Sequence, residues 1–250
     1  MNAVIPRSHP RYESLKTRER MKEALGQGLI HETGLIAHGR GEAFDYLLGE
    51  ETIPPALEAE KVAVAALLLA RHPVISVNGN VVALAAKECV RLASALPANL
   101  EVNLFHRTEE RVHRLVDVLT HHGAKGVYGL KGDARIPGLT HDRGRCDSQG
   151  IFSADVVLVP LEDGDRCQAL TTMKKRVITI DINPLSRTAR TADITIVDDV
   201  RRALKNMEKI VEEYKACPLP ALQDMVSQWD NMAMLREVLQ FLSKRLYAFF

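Results

Sequence analysis

Two hydrophobic rhythms share this chain. From His72 to Tyr214, short β-branched runs (HPVISV, LEVNLF, ADVVLVPL, VITI and DITIV) are separated by stretches of helical composition. Those stretches are Val81–Leu96, Arg107–His122, a short one near Arg166–Met173, and Val200–Tyr214; Val127–Leu130 reads as one more short strand. Runs such as VVLVP and VITI are apolar at nearly every position. Strands buried on both faces look like this, whereas strands with one wet face alternate. Strand and helix in alternation predict an α/β fold with a Rossmann-like, doubly wound parallel sheet. The ends of the chain read as N-terminal and C-terminal helical additions. Arg11–Gln27 is rich in helix formers and stops at Gly28. Pro54 and Pro55 open Ala56–Ala70, because the N–H that proline lacks has no helical partner in a first turn. Gly34–Gly49 reads as a glycine-punctuated loop or broken helix, and Ala221–Phe250 as helix. The expected organisation is one unit, with a helical segment 1–71, a core 72–214 and C-terminal helices 215–250.

Composition narrows the function classes. The 33 Lys and Arg against 32 Asp and Glu lack the basic excess of a general nucleic-acid binder. Four cysteines without a Cys-x-x-Cys spacing point to a reduced, cytoplasmic protein rather than a zinc or disulfide framework. The start of the sequence has no signal-peptide core, and the longest apolar run, Val62–Ala70, is too short to cross a bilayer. There is no G-x-x-x-x-G-K-[ST] loop and no G-x-G-x-x-G after a strand, which counts against P-loop ATPases and ordinary NAD dehydrogenases.

Ligands of such sheets bind outside the carboxyl ends of the strands. Four of those ends carry chemistry. After VISV comes Asn78-Gly79-Asn80, opening into a helix whose N–H groups suit an anion; a plain N-cap explains it equally well. Gly79 lets backbone approach a ligand closely. After NLF, Arg107 and Arg111 share a helix face; a solvated face paired with Glu109, Glu110 and Asp117 explains that spacing at least as well, and Arg107 sits nearer the strand end. After VVLVP comes an acidic turn, Leu161 to Arg166. After VITI comes the strongest segment, Asp181 to Arg190, with Ser186, Arg187, Thr188 and Arg190 suited to a triphosphate. Outside the sheet, His38-Gly39-Arg40-Gly41-Glu42 presents an arginine between glycines. Glu42 and Asp45 suit a magnesium ion bridged through phosphates, or an ordinary helix start. His141-Asp142-Arg143-Gly144 lies in a long polar loop placed to act as a lid.

With these residues in place, a resemblance emerges. SHPRYESLKTRER, GLIAHGRGEAFDYLLGE, HPVISVNGNV, EVNLFHRTEERV, RIPGLTHDRG, VVLVPLEDGDR and ITIDINPLSRTARTADITIVDD closely resemble the archaeal 4-phosphopantoate–β-alanine ligase family, also called phosphopantothenate synthetase. The match runs from Ser8 to about Tyr214. It implies condensation of (R)-4-phosphopantoate with β-alanine at the expense of ATP, releasing AMP and diphosphate, on the route to coenzyme A. It implies a homodimer. It places the ATP contacts at Arg18, Arg40, Asp181, Ile182, Asn183, Arg187, Thr188, Asp199 and Val200; Asp199 stands where relatives can carry Asn. An AMP product implies an acyl-adenylate. Arg18, Arg40 and Arg187 would then neutralise charge on the phosphates, with Mg2+ bridging phosphate oxygens. Asn78, Asn80 and Arg107, at neighbouring strand ends, are the candidates for the acid, with Arg107 also counted as catalytic. His106, His141 and Glu109 remain open as the base for β-alanine, and no metal ligand is assigned. Two rival readings are a ligase for another phosphorylated acid and a non-catalytic nucleotide sensor.

Overall fold

The computed structural model describes residues 5–249. Three helices come first: α1 (Tyr12–Gly26), α2 (Glu32–Leu48) and α3 (Pro54–Leu69). The core then runs β1 (Pro73–Val77), α4 (Gly79–Ala95), β2 (Asn99–Val102), α5 (Glu109–His121) and β3 (Val127–Tyr128). A ribbon of β4 (Ala134–Arg135) and β5 (Arg145–Cys146) follows, then β6 (Val156–Leu158), α6 (Gly164–Thr172), β7 (Arg176–Ile180), α7 (Arg187–Thr191), β8 (Ile194–Ile196) and α8 (Val200–Tyr214). The chain closes with α9 (Leu219–Ser227) and α10 (Asn231–Tyr247).

The main sheet has six parallel strands in the order β3-β2-β1-β6-β7-β8. Counted along the chain this is the doubly wound order 3-2-1-4-5-6, with its switch point between β1 and β6. Each central strand is buried along its length, as the unbroken apolar runs required. Alternate residues serve opposite faces. Ile75, Val77, Leu158, Ile178 and Ile180 point into a core shared with α3, α4, α8 and α10. Val74, Val157 and Val177 point the other way, against α6 and the segment Ile136–Ala154. That segment was expected as a polar loop. It pairs as the β4–β5 ribbon and turns in a short 3₁₀ segment, Asp142–Gly144, because Ile136, Leu139 and Ile151 must cover the sheet where no helix does.

One other expectation changes. Gly34–Gly49 is neither loop nor broken helix; it is the interior of α2, capped at its start by His31 and at its end by Gly49 in the left-handed conformation. The C-terminal stretch is two helices, with Asp230 accepting from the Ala233 N–H at the start of the second. Val62–Ala70, which composition left open as a subunit surface, is largely buried within the chain itself, Val62–Leu67 against α8 and α9.

Candidate active site

A cavity of about 960 Å³ lies along the carboxyl edge of the sheet, centred on the switch point. Its floor is made by the starts of α4 and α8. Asn78 caps α4 by accepting from the Val81 N–H at 3.1 Å and donates to the Leu161 carbonyl at 2.9 Å, so one amide ties the two halves of the sheet together across the switch point. Asp199 caps α8, accepting from the Arg201 N–H at 2.9 Å. Burial pulls the Asp199 carboxyl upward, but Arg201 beside it and these N–H donors outweigh that and hold it below the usual range.

The roof is α2. Its cap His31 and residues Gly34, His38, Gly41, Glu42 and Asp45 line the cavity, with His31, Gly34, His38, Gly41 and Asp45 spaced by three or four as one helix face must be. Of the glycines in this stripe, Gly34 is required by its neighbour. Gly34 lies under Asn80, whose amide donates to the Gly34 carbonyl at 2.9 Å, and a Cβ there would sit 2.3 Å from the Asn80 side chain. A Cβ on Gly41 would rest 3.6 Å from Ile182. At the far end, the Asp45 carboxylate pairs with Arg202 at 3.0 Å, and Arg202 also donates from Nε to Asp198 at 2.9 Å. The helix therefore spans the site from the start of α4 to the start of α8.

The two ends of the cavity differ in charge. Towards α8, three arginines are matched by carboxylates: Arg18 forks onto Glu42 at 2.7 and 2.9 Å, Arg201 pairs with Asp199 at 3.0 Å, and Arg202 with Asp45 and Asp198. Behind them Glu60 is fully buried. Burial, followed by the adjacent Asp198 charge, pushes its carboxyl up to about 9, so it carries a proton. Towards α4 stands Arg111. It donates to the backbone carbonyls of Leu29, at 3.1 Å, and His106, and no carboxylate pairs with it among the described residues. Beside it His106 stacks on His31 with ring centres 4.1 Å apart. Arg143, 5 % exposed, reaches Asp163 at 2.9 Å and the buried Glu162 at 3.4 Å, and Glu162 in turn holds Arg166.

The residues named from sequence distribute as follows. Asn78, Asn80, Ile182, Asp199 and Val200 line the cavity. Arg18 touches its wall through Glu42. Arg40 and Arg187 are exposed, and the Arg187 stem crosses Gly164 so closely that a Cβ there would lie 2.8 Å from it. Asp181 accepts from the Asn183 N–H at 3.0 Å and from the Ser186 hydroxyl, and burial raises its carboxyl. Thr188 is buried, donating to the Glu162 carbonyl at 2.9 Å. Arg107 does not line the cavity. Its side chain is 2 % exposed and turned towards the β3 edge, where it donates to the Gly129 carbonyl at 2.7 Å. Gly79 does admit a close backbone, but it is the chain's own: the Leu29 carbonyl lies 2.4 Å from where a Cβ would stand.

Sequence reasoning missed Arg201 and Arg202. A signal was present, since two arginines in the first turn of a helix oppose its dipole and need a local reason. His31 and His38 were hidden by the expectation of a broken α2.

A doubly wound sheet with helix N-termini and arginines gathered at its switch point defines a protein that binds phosphorylated ligands there. The chain belongs to the phosphopantothenate/pantothenate synthetase family, whose model matches residues 55–245. It is 54 % identical to the 4-phosphopantoate–β-alanine ligase of Thermococcus kodakarensis, over 97 % of this chain and 93 % of that protein. It is 52 % identical to the ligase of the same name from Methanosarcina mazei, over 97 % and 95 % of the two chains. With the one from Methanospirillum hungatei the figures are 51 %, 97 % and 98 %.

Proposed function

We propose that this chain is an ATP-dependent ligase that joins (R)-4-phosphopantoate to β-alanine, forming 4′-phosphopantothenate with AMP and diphosphate on the route to coenzyme A. The observation that carries this reading is the two-ended cavity in a chain of this family. One end holds an arginine without a carboxylate beside the N–H groups of α4, which suits the anionic acid. The other end, at Ile182 and the start of α8, suits the nucleotide.

A carboxylate is a poor electrophile. Transfer of AMP to it supplies a leaving group, and the amine then displaces AMP. Holding acid and nucleotide at opposite ends of one cavity brings the carboxylate to the α-phosphate at its middle. In this reading Ile182, Asp199 and Val200 seat the nucleotide, with Asp181, Asn183 and Thr188 bracing the loop. Arg18, Arg40 and Arg187, at or near the mouth, meet the charge of the departing diphosphate. Asn78 and Asn80 frame the acid. Its charge falls to Arg111, with Arg143 held by Glu162 and Asp163 and Arg107 turned aside towards Gly129.

Mg2+ would bridge phosphate oxygens and withdraw charge from them. Among the described residues no group of three or more His, Cys, Asp and Glu side chains forms a cage for a metal. That fits an ion carried mainly by phosphates, with Glu42 or Asp45 near enough to share it.

A homodimer is part of the proposal. α2 and α10 pack together and leave Ile36, Tyr46, Leu47, Leu239, Leu246 and Tyr247 exposed on them. No helix among the described residues is long and apolar enough to cross a membrane.

Purified protein incubated with ATP, magnesium, phosphopantoate and β-alanine is expected to release AMP in step with 4′-phosphopantothenate. ADP in place of AMP, or AMP release that ignores both the acid and β-alanine, contradicts the proposal. The second of those outcomes would leave a nucleotide-binding module as the better reading.

A further inference from the structure

Amide formation needs β-alanine as a neutral amine, although its ammonium form dominates near neutral pH. Something in the cavity must take that proton. Glu109 pairs with Arg145 at 3.3 Å and does not line the cavity. His141 is held by Asp165 at 2.7 Å, also outside the lining. His106 lines the cavity, but exposed at its acid end and stacked on His31.

His38 is placed differently. It lies on the cavity face of α2, four residues after Gly34 and three before Gly41. Gly34 marks the acid end through Asn80, and Gly41 marks the nucleotide end through Ile182. At a rise of about 1.5 Å per residue, His38 stands roughly 6 Å along the helix from one and 4–5 Å from the other. That is where an activated carboxyl, bound at one end and adenylated from the other, has to lie. The His38 ring is half-buried, and its Nε2 is fully covered with no hydrogen-bond partner among the described residues.

We propose that His38 is the base that takes the ammonium proton from β-alanine. The proposal rests on the ligase reading above. Nδ1, the ring nitrogen of His38 that is not covered, accepts one N–H proton. The amine lone pair then forms the C–N bond to the acyl carbon, and the C–O bond to AMP breaks, its electron pair leaving on the phosphate. The second N–H proton passes to water as the amide forms. The groups around the ring are Glu42 on α2, Arg18 on α1, and Asp199 and Arg201 at the start of α8. Burial chiefly, with Arg201 and Arg18, holds the imidazole below its ordinary value against the opposing pull of Glu42 and Asp199. It is therefore neutral and able to accept at neutral pH.

The test separates adenylation from amine attack. His38→Asn and His38→Gln enzymes are compared with wild type in three assays: phosphopantoate-dependent ATP–diphosphate exchange, product formation with β-alanine, and hydroxamate formation with hydroxylamine, an amine already neutral at pH 7. Exchange and hydroxamate formation are expected to stay within about threefold. The β-alanine rate is expected to fall by about 10²- to 10⁴-fold and to recover as pH rises. The wild-type enzyme alone supplies a second measure. Its turnover with β-alanine should show an acid limb that the hydroxylamine reaction lacks. Equal losses with both amines, or a wild-type acid limb shared by both, overturn His38 as the base. Absence of exchange in wild type overturns the adenylate reading itself, which is a separate result.

Discussion

The α4 end and the α8 end of the cavity use the same residue types to opposite effect. At the α8 end, Arg18, Arg201 and Arg202 each face at least one carboxylate, so their charges are largely cancelled before any ligand arrives. At the α4 end, Arg111 spends its donors on backbone carbonyls, and its charge stays uncancelled beside a helix N-terminus. Burial lowers its guanidinium somewhat, without approaching neutrality. The lesson is that counting arginines does not locate an anion site. A guanidinium matched by carboxylates mainly holds its neighbours in place, whereas one bonded to neutral acceptors still attracts an anion. The α4 end therefore draws a small charged acid, and the α8 end offers a rigid, nearly neutral seat for a nucleotide.

The largest effect that would break this contrast is expected at Arg143. It lies at the α4 end yet is tied to buried Glu162, so Arg143→Ala leaves that carboxylate with a deficit of charge. A loss of about 3–5 kcal/mol in denaturant unfolding is expected, as for removal of one partner of a buried pair. A loss below 1 kcal/mol would show that Arg166 alone compensates Glu162. Next comes the ranking of Arg111, on α5, against Arg107, which precedes it. Arg111→Ala is expected to raise the KM for phosphopantoate by roughly 10- to 100-fold, the value of one charge-assisted hydrogen bond. Arg107→Ala should change it by less than about threefold, because its side chain lies outside the cavity, turned to the Gly129 carbonyl. The reverse order would return the acid site to Arg107. A smaller shift is expected at the opposite end: Asp45→Ala should raise the KM for ATP about fivefold by loosening Arg202, with the acid KM unchanged. Equal effects on both KM values would show that α2 couples the ends.

A separate effect, read as a slope with pH rather than as a change in binding, concerns the buried proton on Glu60. Its carboxyl sits at about 9 in the fold, above the ordinary 4.5. The folded protein therefore binds a proton that the unfolded chain has lost, and the associated stability, complete below pH 4.5, declines as pH rises towards 9. Glu60→Gln, which keeps the shape but cannot ionise, should flatten that decline in denaturant titrations run across this range. An unchanged slope would mean that Glu60 is ionised in the fold.

Much of this was legible in advance. VVLVP and VITI announced buried parallel strands, and each loop past a strand proved to lie on the same edge. Asn78, Asn80, Ile182, Asp199 and Val200, scattered over more than a hundred positions, do meet at one cavity. Other features could not be read. The glycines at 34, 39 and 41 argue locally against a helix. Gly34 is tolerated because the helix must pass close over Asn80, and closeness is a property of the partner, not of the segment. Gly79 carried the same ambiguity in reverse: its small size was evident, but not that the Leu29 carbonyl would use the space.

The sequence by itself therefore determined the alternation of elements, the parallel sheet and the edge at which chemistry gathers. These depend on periodicity and on apolar burial, which neighbouring residues along the chain already express. Tertiary structure alone decided which charges stay unmatched, that α2 roofs the cavity, and that His38 stands at its middle. Pairing and desolvation act over a few ångströms in space, between residues such as Asp45 and Arg202 that lie far apart along the chain.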